Sequence, residues 1–216
     1  MTGISGPAGI VHIVDDDTAF QTAIARALTA AGHHPRLYSS APEYLAADDS
    51  EGPACLLLDL RMPGVSGLDL QGALARREQA HPIIFLTGHG DIPTTVRAMQ
   101  AGAVDFLTKP VRMATLLESI RRALERDEER HRLVLRRADL KQRYATLTPR
   151  ERQVMAGVIA GRLNKQICYA LHAAERTVKT HRARVMEKMK VRSVAELVRL
   201  AEELAEAGVE LEATPG

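Results

Sequence analysis

The sequence predicts an α/β domain with a doubly wound, five-stranded parallel sheet, followed by a long linker helix and a small all-helical domain. Short apolar runs alternate with amphipathic stretches about every 25 residues through the first 125 residues. Residues 113–144 then contain neither Gly nor Pro, and closely spaced helix-start signals follow. Because parallel strands need helical crossovers, the alternation indicates a sheet with helices on both faces.

The five predicted strands are apolar runs bounded by turn or cap residues. They are residues 10–14, 35–38, 54–58, 83–86 and 104–107. Start signals for the intervening helices stand at Asp17, Ser40, Ser66 and Asp91, and Gly32 and Gly102 stand where two helices would end. This arrangement accounts for a complete three-layer domain ending near residue 125.

The fifth helix is expected to continue beyond the sheet as a charged linker. At 1.5 Å per residue, residues 113–144 would extend about 45 Å. Leucines occur at a spacing of seven residues, at positions 117 and 124 and again at 133, 140 and 147. This spacing permits a leucine seam, meaning a stripe through which two copies of the helix pair, although a solvated spacer is the alternative.

A second domain of four short helices is predicted after the linker. Thr148, Pro149 and Glu151 form a strong helix start, and Ser193 with Glu196 forms another. The predicted helices cover residues 149–160, 164–171, 175–189 and 193–207. We therefore divide the chain into residues 1–125, a linker at 126–143, a helical domain at 144–207 and a flexible tail at 208–216.

The composition excludes several classes of protein. The sequence contains no apolar stretch of membrane-spanning length and no signal peptide, so we expect a cytoplasmic protein that does not bind membranes. Two distant cysteines, Cys55 and Cys168, do not make a disulfide framework or a zinc site. The absence of Trp and the 3% aromatic content disfavour binding of unpaired bases.

Charge is distributed unevenly along the chain. Residues 1–110 carry 7 basic and 12 acidic side chains, whereas residues 144–200 carry 12 basic and 4 acidic ones. A compact basic segment is a candidate surface for a polyanion, and a solvated basic face is the alternative. The opposite charges also motivate a hypothesis in which the two parts associate with each other.

Polar residues follow the predicted strands where a ligand would bind an open parallel sheet. Asp15 and Asp16 follow the first strand, Asp59 the third, Thr87 the fourth and Lys109 the fifth. Converging carboxylates repel one another unless a cation lies among them, and oxygen ligands alone favour Mg²⁺. A carboxylate can attack phosphorus, while a metal, a lysine and a hydroxyl stabilise the transferred charge.

Each of these residues also has an ordinary structural explanation. Asp15 and Asp16 could cap the next helix, Asp59 could belong to a turn, Thr87 could cap a loop and Lys109 could be a surface charge. Their joint placement at successive strand ends favours the functional interpretation.

Four segments resemble the receiver domain of two-component response regulators, specifically the FixJ-type branch. They are residues 14–17 (Val-Asp-Asp-Asp), 58–64 (Leu-Asp-Leu-Arg-Met-Pro-Gly), 86–91 (Leu-Thr-Gly-His-Gly-Asp) and 105–110 (Asp-Phe-Leu-Thr-Lys-Pro). The resemblance covers residues 9–125 and implies a flavodoxin-like sheet with strand order 2-1-3-4-5. It further implies that Asp59 accepts a phosphoryl group from a histidine kinase.

The same resemblance implies roles for the neighbouring residues. Asp15 and Asp16 would bind Mg²⁺ or Mn²⁺ together with Asp59 and the backbone carbonyl of Arg61. Lys109 would pair with the phosphoryl group, and its bond to Pro110 would be cis. Thr87 and Phe106 would form the switch that remodels the surface, although Phe106 as ordinary core filling is an alternative.

Two helices of the basic domain have the length and spacing of a helix-turn-helix. On the second helix, Val178, Val185 and Met189 form an apolar stripe facing the core. The residues expected to face the bases are Lys179, Thr180, Ala183 and Arg184. Those expected to contact phosphates are Lys165, Arg176, Thr177, Arg182 and Lys188.

Residues 147–154, 164–167 and 176–181 are similar to the LuxR-type DNA-binding domain that follows the receiver in FixJ/NarL-type regulators. The resemblance covers residues 145–207 and implies a dimer contact through residues 195–204. The sequence departs from the family at His172, Ala173 and Ala174, where a turn residue, a larger apolar residue and a Ser or Thr cap are usual. We therefore predict a loose turn before the recognition helix.

The sequence thus predicts a phosphorylation-dependent transcriptional regulator. Its expected partners are a sensor histidine kinase, double-stranded promoter DNA, a second copy of the chain upon activation, and RNA polymerase. Constitutive DNA binding without phosphorylation is an alternative. An Asp-nucleophile phosphohydrolase is a more remote one, since Ala19 departs from the pattern of that class. Beyond phosphorylation and dephosphorylation of Asp59 itself, we expect no enzymatic activity.

Overall fold

The computed structural model describes residues 9–47, 52–76, 81–88 and 92–212, and the predicted cap at Asp91 lies outside them. The chain forms two compact units that divide between His131 and Arg132. The boundaries predicted at residues 125 and 143 remain predictions. Within the described ranges, no helix is both long and apolar enough to cross a bilayer.

The first unit is built on a five-stranded parallel sheet in the order β2-β1-β3-β4-β5, which confirms the predicted fold class. The strands are β1 (Ile10–Val14), β2 (His34–Tyr38), β3 (Ala54–Leu58), β4 (Ile83–Thr87) and β5 (Asp105–Thr108). The helices that accompany them are α1 (Thr18–Ala30), α2 (Ala41–Ala46), α3 (Gly67–Leu74), α4 (Ile92–Gln100) and α5 (Met113–Ala145).

Separate apolar cores cover the two faces of this sheet. Along β1, Val11 and Ile13 pack into one core with Ile120 of α5. Val14 packs into the opposite core with Leu70 of α3. Because both faces are covered, β3 and β4 are buried along their whole length.

The strand register brings the carboxyl ends of β1 and β3 together. Val14 pairs with Leu58, so the residues that follow these two strands emerge side by side. Thr87 pairs with Thr108 at the matching ends of β4 and β5. One edge of the sheet therefore collects the polar residues that the sequence places after its strands.

Short polar side chains begin the helices as predicted. The Asp17 carboxylate accepts a hydrogen bond from the Phe20 amide at 2.9 Å. Ser66 and Asp69 form a reciprocal capping box at the start of α3. Gly32 adopts a left-handed conformation, with φ of 90°, where the chain leaves α1.

The long fifth helix contributes to both units. Its first part packs Leu124 into the core of the sheet unit, and its last turns pack Leu140 into the core of the helical unit. Leu147, which lies beyond the helix, is also buried. Leu117 packs against the core of the sheet unit as well, so four of the five leucines of the predicted leucine seam contact the cores of the two units.

Asp127 fastens α5 to the sheet. Its carboxylate is buried and accepts a hydrogen bond at 2.9 Å from the amide of Ala54, at the start of β3. The other carboxylate oxygen accepts from the Arg130 guanidinium at 2.7 Å. Two residues that the sequence assigns to the linker are therefore part of the sheet unit.

The helical unit contains the four predicted helices α6 (Pro149–Ile159), α7 (Asn164–Ala170), α8 (Glu175–Lys188) and α9 (Val194–Glu206). Val154, Val178 and Leu197 bring three of them together in a single core. Gly157 allows α6 and α7 to approach closely, since a Cβ there would lie 2.8 Å from Ile167 Cγ1.

The turn between α7 and α8 lacks the side-chain cap that a Ser or Thr would supply at the start of α8. Ala174 occupies the N-cap position and makes no side-chain hydrogen bond, and His172 adopts a positive φ of 47°. Both features agree with the predicted loose turn, which stays a prediction. At the start of α9 the predicted capping box is incomplete, because Glu196 accepts from the Arg192 amide instead of the Ser193 amide.

A buried polar and aromatic cluster lies within the sheet unit, away from its carboxyl edge. The His12 ring on β1 is fully buried and stacks on the His81 ring, with 5.2 Å between the ring centroids. His12 Nδ1 lies 3.1 Å from the Tyr38 hydroxyl oxygen, within hydrogen-bond distance. Burial, together with the nearby His81 and Arg36, lowers the pKa of His12 to about 4, while the Asp127 carboxylate opposes this shift. His12 is therefore neutral in the folded protein at neutral pH.

We predict that His12 makes the sheet unit sensitive to acid. Unfolded His12 takes up a proton below its ordinary pKa of 6.5, whereas folded His12 stays neutral down to about pH 4. The unfolded state therefore binds more protons in this window, and the unfolding free energy falls as the pH falls. Between pH 7 and pH 5 the loss is about 2 kcal/mol.

Urea unfolding followed by NMR signals of β1 amides measures this loss. His12→Gln should flatten the pH dependence, whereas substitution of the exposed His172 by Gln, which lies in the helical unit, should leave the unfolding of the sheet unit unchanged. An unaltered pH dependence in His12→Gln would contradict the assignment.

Candidate functional site

A cavity of about 270 Å³ opens at the carboxyl edge of the sheet. It is lined by Asp15, Asp16, Asp17, Asp59, Arg61, Thr87, Gly88 and Lys109. The fold therefore brings together the predicted site residues of the sheet unit, with the exception of Phe106 and Pro110.

Three of the carboxylates converge closely enough to share one ion. Asp15, Asp16 and Asp59 each offer an oxygen, and these oxygens lie within 4.8 Å of one another. Asp15 and Asp59 are buried, whereas Asp16 is exposed. A set of carboxylate oxygens open to solvent on one side fits a hard divalent cation such as Mg²⁺, which keeps several waters.

Lys109 places its ammonium group among these carboxylates. The Nζ atom lies 2.5 Å from Asp15 Oδ2 and 3.9 Å from Asp59 Oδ1. The lysine thus pairs directly with Asp15 and lies within reach of Asp59. The four carboxylates that line the cavity still outnumber its two cationic side chains, so the site favours a cationic ligand.

Asp59 has an unusual electrostatic environment. Burial raises the pKa of its carboxyl, the Lys109 ammonium opposes this shift and the Asp15 carboxylate adds to it. The Leu60 amide donates a hydrogen bond to Asp59 Oδ1 at 2.9 Å, which favours the ionised form. A partly desolvated carboxylate with few hydrogen-bond donors is suited to act as a nucleophile.

Gln21 supports the site and was not predicted from the sequence. Its buried side-chain amide donates to the carbonyl oxygens of Asp15 at 2.8 Å and Tyr38 at 2.6 Å. It thereby ties the ends of β1 and β2 to α1. The sequence does contain a signal for this role, because Gln21 is a polar residue at helical spacing from Ile24 and Leu28 on the buried face of α1.

The two predicted switch residues occupy different environments. Thr87 is buried at the end of β4 and lines the cavity, and its carbonyl accepts from the Lys109 amide at 2.8 Å. Phe106 is partly buried and packs against the core, with its ring 5.8 Å from that of Phe85. The peptide bond between Lys109 and Pro110 is cis.

Gly67 allows α3 to start directly against the end of β3. A Cβ at this position would lie 2.4 Å from the Asp59 carbonyl oxygen and 3.0 Å from the Phe85 ring. The Gly67 amide also donates to the Leu60 carbonyl at 3.0 Å. The backbone of the loop that carries Asp59 is thus fixed by a close approach that only glycine permits at position 67.

We predict that Gly67→Ala destabilises the sheet unit by about 1 to 3 kcal/mol, because backbone atoms must move to accept the methyl group. Gly72→Ala on the same helix is the matched control, since nothing lies within 4 Å of its Cβ. The control should stabilise the unit by about 0.5 to 1 kcal/mol. Urea unfolding of both variants measures the difference, and equal stabilities would refute the role of Gly67.

The helical unit presents a basic surface on α8. Lys179, Thr180, Ala183 and Arg184 are exposed, whereas Val178, Val185 and Met189 are buried in the core. The predicted phosphate-contacting residues Lys165, Arg176 and Thr177 are also exposed. The helix therefore divides into the two faces that the sequence predicts.

Two predicted phosphate contacts instead make bonds inside the unit. Lys188 Nζ lies 2.6 Å from Oε2 of the buried Glu151 and donates to the Thr146 carbonyl at 3.0 Å. Arg182 donates to the Asn164 side chain at 3.0 Å. Lys188 stabilises the start of α6 and the end of α8, and we do not retain it as a phosphate contact.

Two family models match the chain. The response regulator receiver domain matches residues 11–121, and the luxR family of bacterial regulatory proteins matches residues 145–201. Nodulation protein W of Bradyrhizobium diazoefficiens is 46% identical over 195 residues, which cover 90% of this chain and 86% of that protein.

Two further relatives extend along nearly the whole chain. The transcriptional regulatory protein FixJ of Rhizobium meliloti is 43% identical over 191 residues, which cover 88% of this chain and 94% of that protein. The solved structure of the response regulator StyR gives a TM-score of 0.83 at 42% identity. It covers 91% of this chain and 100% of that one.

A carboxylate site at the edge of a parallel sheet, joined to a helix-turn-helix unit, defines a regulatory protein with separate input and DNA-binding domains. The chain belongs to the two-component response regulators that carry a receiver domain and a LuxR-type DNA-binding domain. It is a transcription regulator. This family consists of transcriptional response regulators, so membership in it disfavours the phosphohydrolase alternative.

Proposed function

We propose that Asp59 accepts a phosphoryl group and that this controls binding of promoter DNA by the helical unit. The observation that carries the proposal is the buried Asp59 carboxylate, grouped with Asp15 and Asp16 and lying 3.9 Å from the Lys109 ammonium. A histidine kinase is the expected donor. The protein is expected to work in the cytoplasm.

In the transfer step, a carboxylate oxygen of Asp59 attacks phosphorus and forms an acyl phosphate. The bond from phosphorus to the imidazole nitrogen of a phosphohistidine breaks, and that nitrogen keeps the electron pair. Lys109 offsets charge on the phosphoryl oxygens, and the Thr87 hydroxyl donates to one of them. Attack by water on the acyl phosphate restores Asp59 and releases inorganic phosphate.

Asp15, Asp16 and Asp59, with the backbone carbonyl of Arg61, would hold Mg²⁺ or Mn²⁺. When bound, the divalent ion neutralises part of the negative charge of the carboxylates and of the transferred group. The convergent oxygens and the excess of carboxylates in the cavity support this assignment.

Incubation with Mg²⁺ and acetyl phosphate should add one phosphoryl group to the protein, detected by intact mass. Asp59→Asn should abolish the adduct because the amide is a poor nucleophile. Asp69→Asn, an exposed position outside the cavity, should retain it. An adduct that persists in Asp59→Asn would contradict the assignment of Asp59.

Recognition of DNA would use the exposed face of α8. Lys179, Thr180, Ala183 and Arg184 would enter the major groove, while Lys165, Arg176 and Thr177 would contact phosphates. Arg182 donates a hydrogen bond to the Asn164 side chain and would hold α7 against α8. Its remaining N–H groups would donate to phosphates of the DNA backbone. Dimerisation through residues 195–204 would place two recognition helices on two half-sites, and RNA polymerase would be the downstream partner.

We predict that Arg176→Ala lowers the salt dependence of binding to mixed-sequence duplex DNA. Loss of one phosphate contact should reduce the slope of log affinity against log salt by about 0.9. Lys141→Ala, an exposed lysine on α5, is the control and should leave the slope unchanged. An unchanged slope in Arg176→Ala would remove Arg176 from the interface.

DNA-binding titrations of the phosphorylated and unphosphorylated protein distinguish phosphorylation-dependent regulation from constitutive DNA binding. Tighter binding by the phosphorylated full-length protein supports phosphorylation-dependent regulation. Equal binding by both forms favours the constitutive alternative.

A further inference from the structure

The aromatic ring of Phe20 lies against the ammonium group of Lys109. Nζ is 4.0 Å from the ring centroid, well inside the range of a cation–π interaction. Phe20 stands in the first turn of α1, with its amide bonded to the Asp17 cap. The ring also packs against the apolar core between the sheet and α5, so it has a fixed support.

Lys109 depends on such contacts for its position. A lysine side chain has four rotatable carbons and a strongly hydrated head group, so it adopts many conformations unless its surroundings select one. Here the ammonium contacts Asp15 and the Phe20 ring and lies within reach of Asp59. The lysine side chain retains 19% of its exposure, and partial desolvation strengthens the attraction to the ring.

We propose that Phe20 is a positioning residue for phosphoryl transfer to Asp59, acting through Lys109. Its ring keeps the ammonium beside the two carboxylates and shields one side of it from water. The fraction of molecules with Lys109 in place limits the rate of transfer, and the ring raises that fraction. This inference rests on the proposed phosphorylation of Asp59.

A ring suits this task better than a further carboxylate. It attracts the ammonium without accepting a hydrogen bond, so all three N–H groups remain available to Asp15, Asp59 and the incoming phosphoryl group. A carboxylate at position 20 would compete with the phosphoryl oxygens for Lys109. It would also add charge to a cavity in which carboxylates already outnumber cationic groups.

The test compares Phe20→Leu, which removes the ring, with Phe20→Tyr, which keeps it. Initial rates of phosphorylation by acetyl phosphate with Mg²⁺ are measured on the full chain by intact mass. Phe20→Leu should be slower by between about 2-fold and about 30-fold, the range expected for loss of a cation–π contact. Phe20→Tyr should restore the rate to within about 2-fold of the wild type.

Tyr144→Leu is the matched control for loss of an aromatic ring. Tyr144 lies in the helical unit, with its ring 5.0 Å from the Arg152 guanidinium. Its replacement should leave the phosphorylation rate unchanged. A similar slowing in both leucine variants would overturn the specific role of Phe20.

Two measurements test the contact without phosphorylation. The ring should shift the NMR signals of the Lys109 Hε protons upfield, and Phe20→Leu should remove the shift. A double-mutant cycle in urea unfolding, combining Phe20→Leu with Lys109→Met, should show a coupling of about 2-fold to about 30-fold in the folding equilibrium constant. Absence of both signals would overturn the contact.

The rates separate the remaining outcomes. A normal adduct in the wild type with an equal rate in Phe20→Leu would overturn the positioning role alone. Absence of an adduct with either acetyl phosphate or a phosphorylated histidine kinase would overturn the proposed function as well, whatever the state of the contact.

Discussion

Crowding of like charge at the edge of a buried sheet is the constraint on which the first unit depends. Four carboxylates line one cavity with two cationic side chains, and the register of β1 against β3 places Asp15 and Asp59 side by side. The surroundings hold them there through Gln21, Gly67 and the Asp17 cap. The free energy stored in this repulsion is available to any ligand that brings positive charge, and a site of this kind is therefore prepared for a metal before one arrives.

The sequence was sufficient to predict what depends on local pattern. The strand before Asp59 is an uninterrupted apolar run, and the strand before Asp15 is apolar except for His12. The start of α3 follows from Ser66 and Asp69. Contacts between residues far apart in the chain could not be predicted from the sequence. Nothing near Phe20 in the chain indicates that its ring meets Lys109, and Lys188 looks like any exposed lysine until the fold brings Glu151 beside it. The leucine spacing alone could not identify the partner of these side chains, because a helix packed against a core shows the same periodicity as a paired one.

The helical unit solves a different problem, since it must orient a helix whose outer face is almost wholly polar. α8 packs Val178, Val185 and Met186 against the core, and Met189 follows at its C-cap, so the apolar stripe is narrow and fixes the rotation of the helix only weakly. The ion pair between Glu151 and Lys188 fixes its end to the start of α6, and the bond from Arg182 to Asn164 fixes its middle to α7. Polar contacts of defined geometry thus supply the orientation that apolar packing alone does not specify.

The attachment made by Asp127 determines where the sheet unit can be separated from the rest of the chain. A fragment ended at residue 125, where the alternation of strands and helices stops, would lack the carboxylate that receives the Ala54 amide at the first residue of β3. The Ala54 amide at the start of β3 would then have lost its acceptor. An unsatisfied buried donor of this kind lowers the free energy of unfolding by about 1 to 3 kcal/mol. A fragment that extends to His131, where the two units divide, retains this bond and the Arg130 pair that supports it.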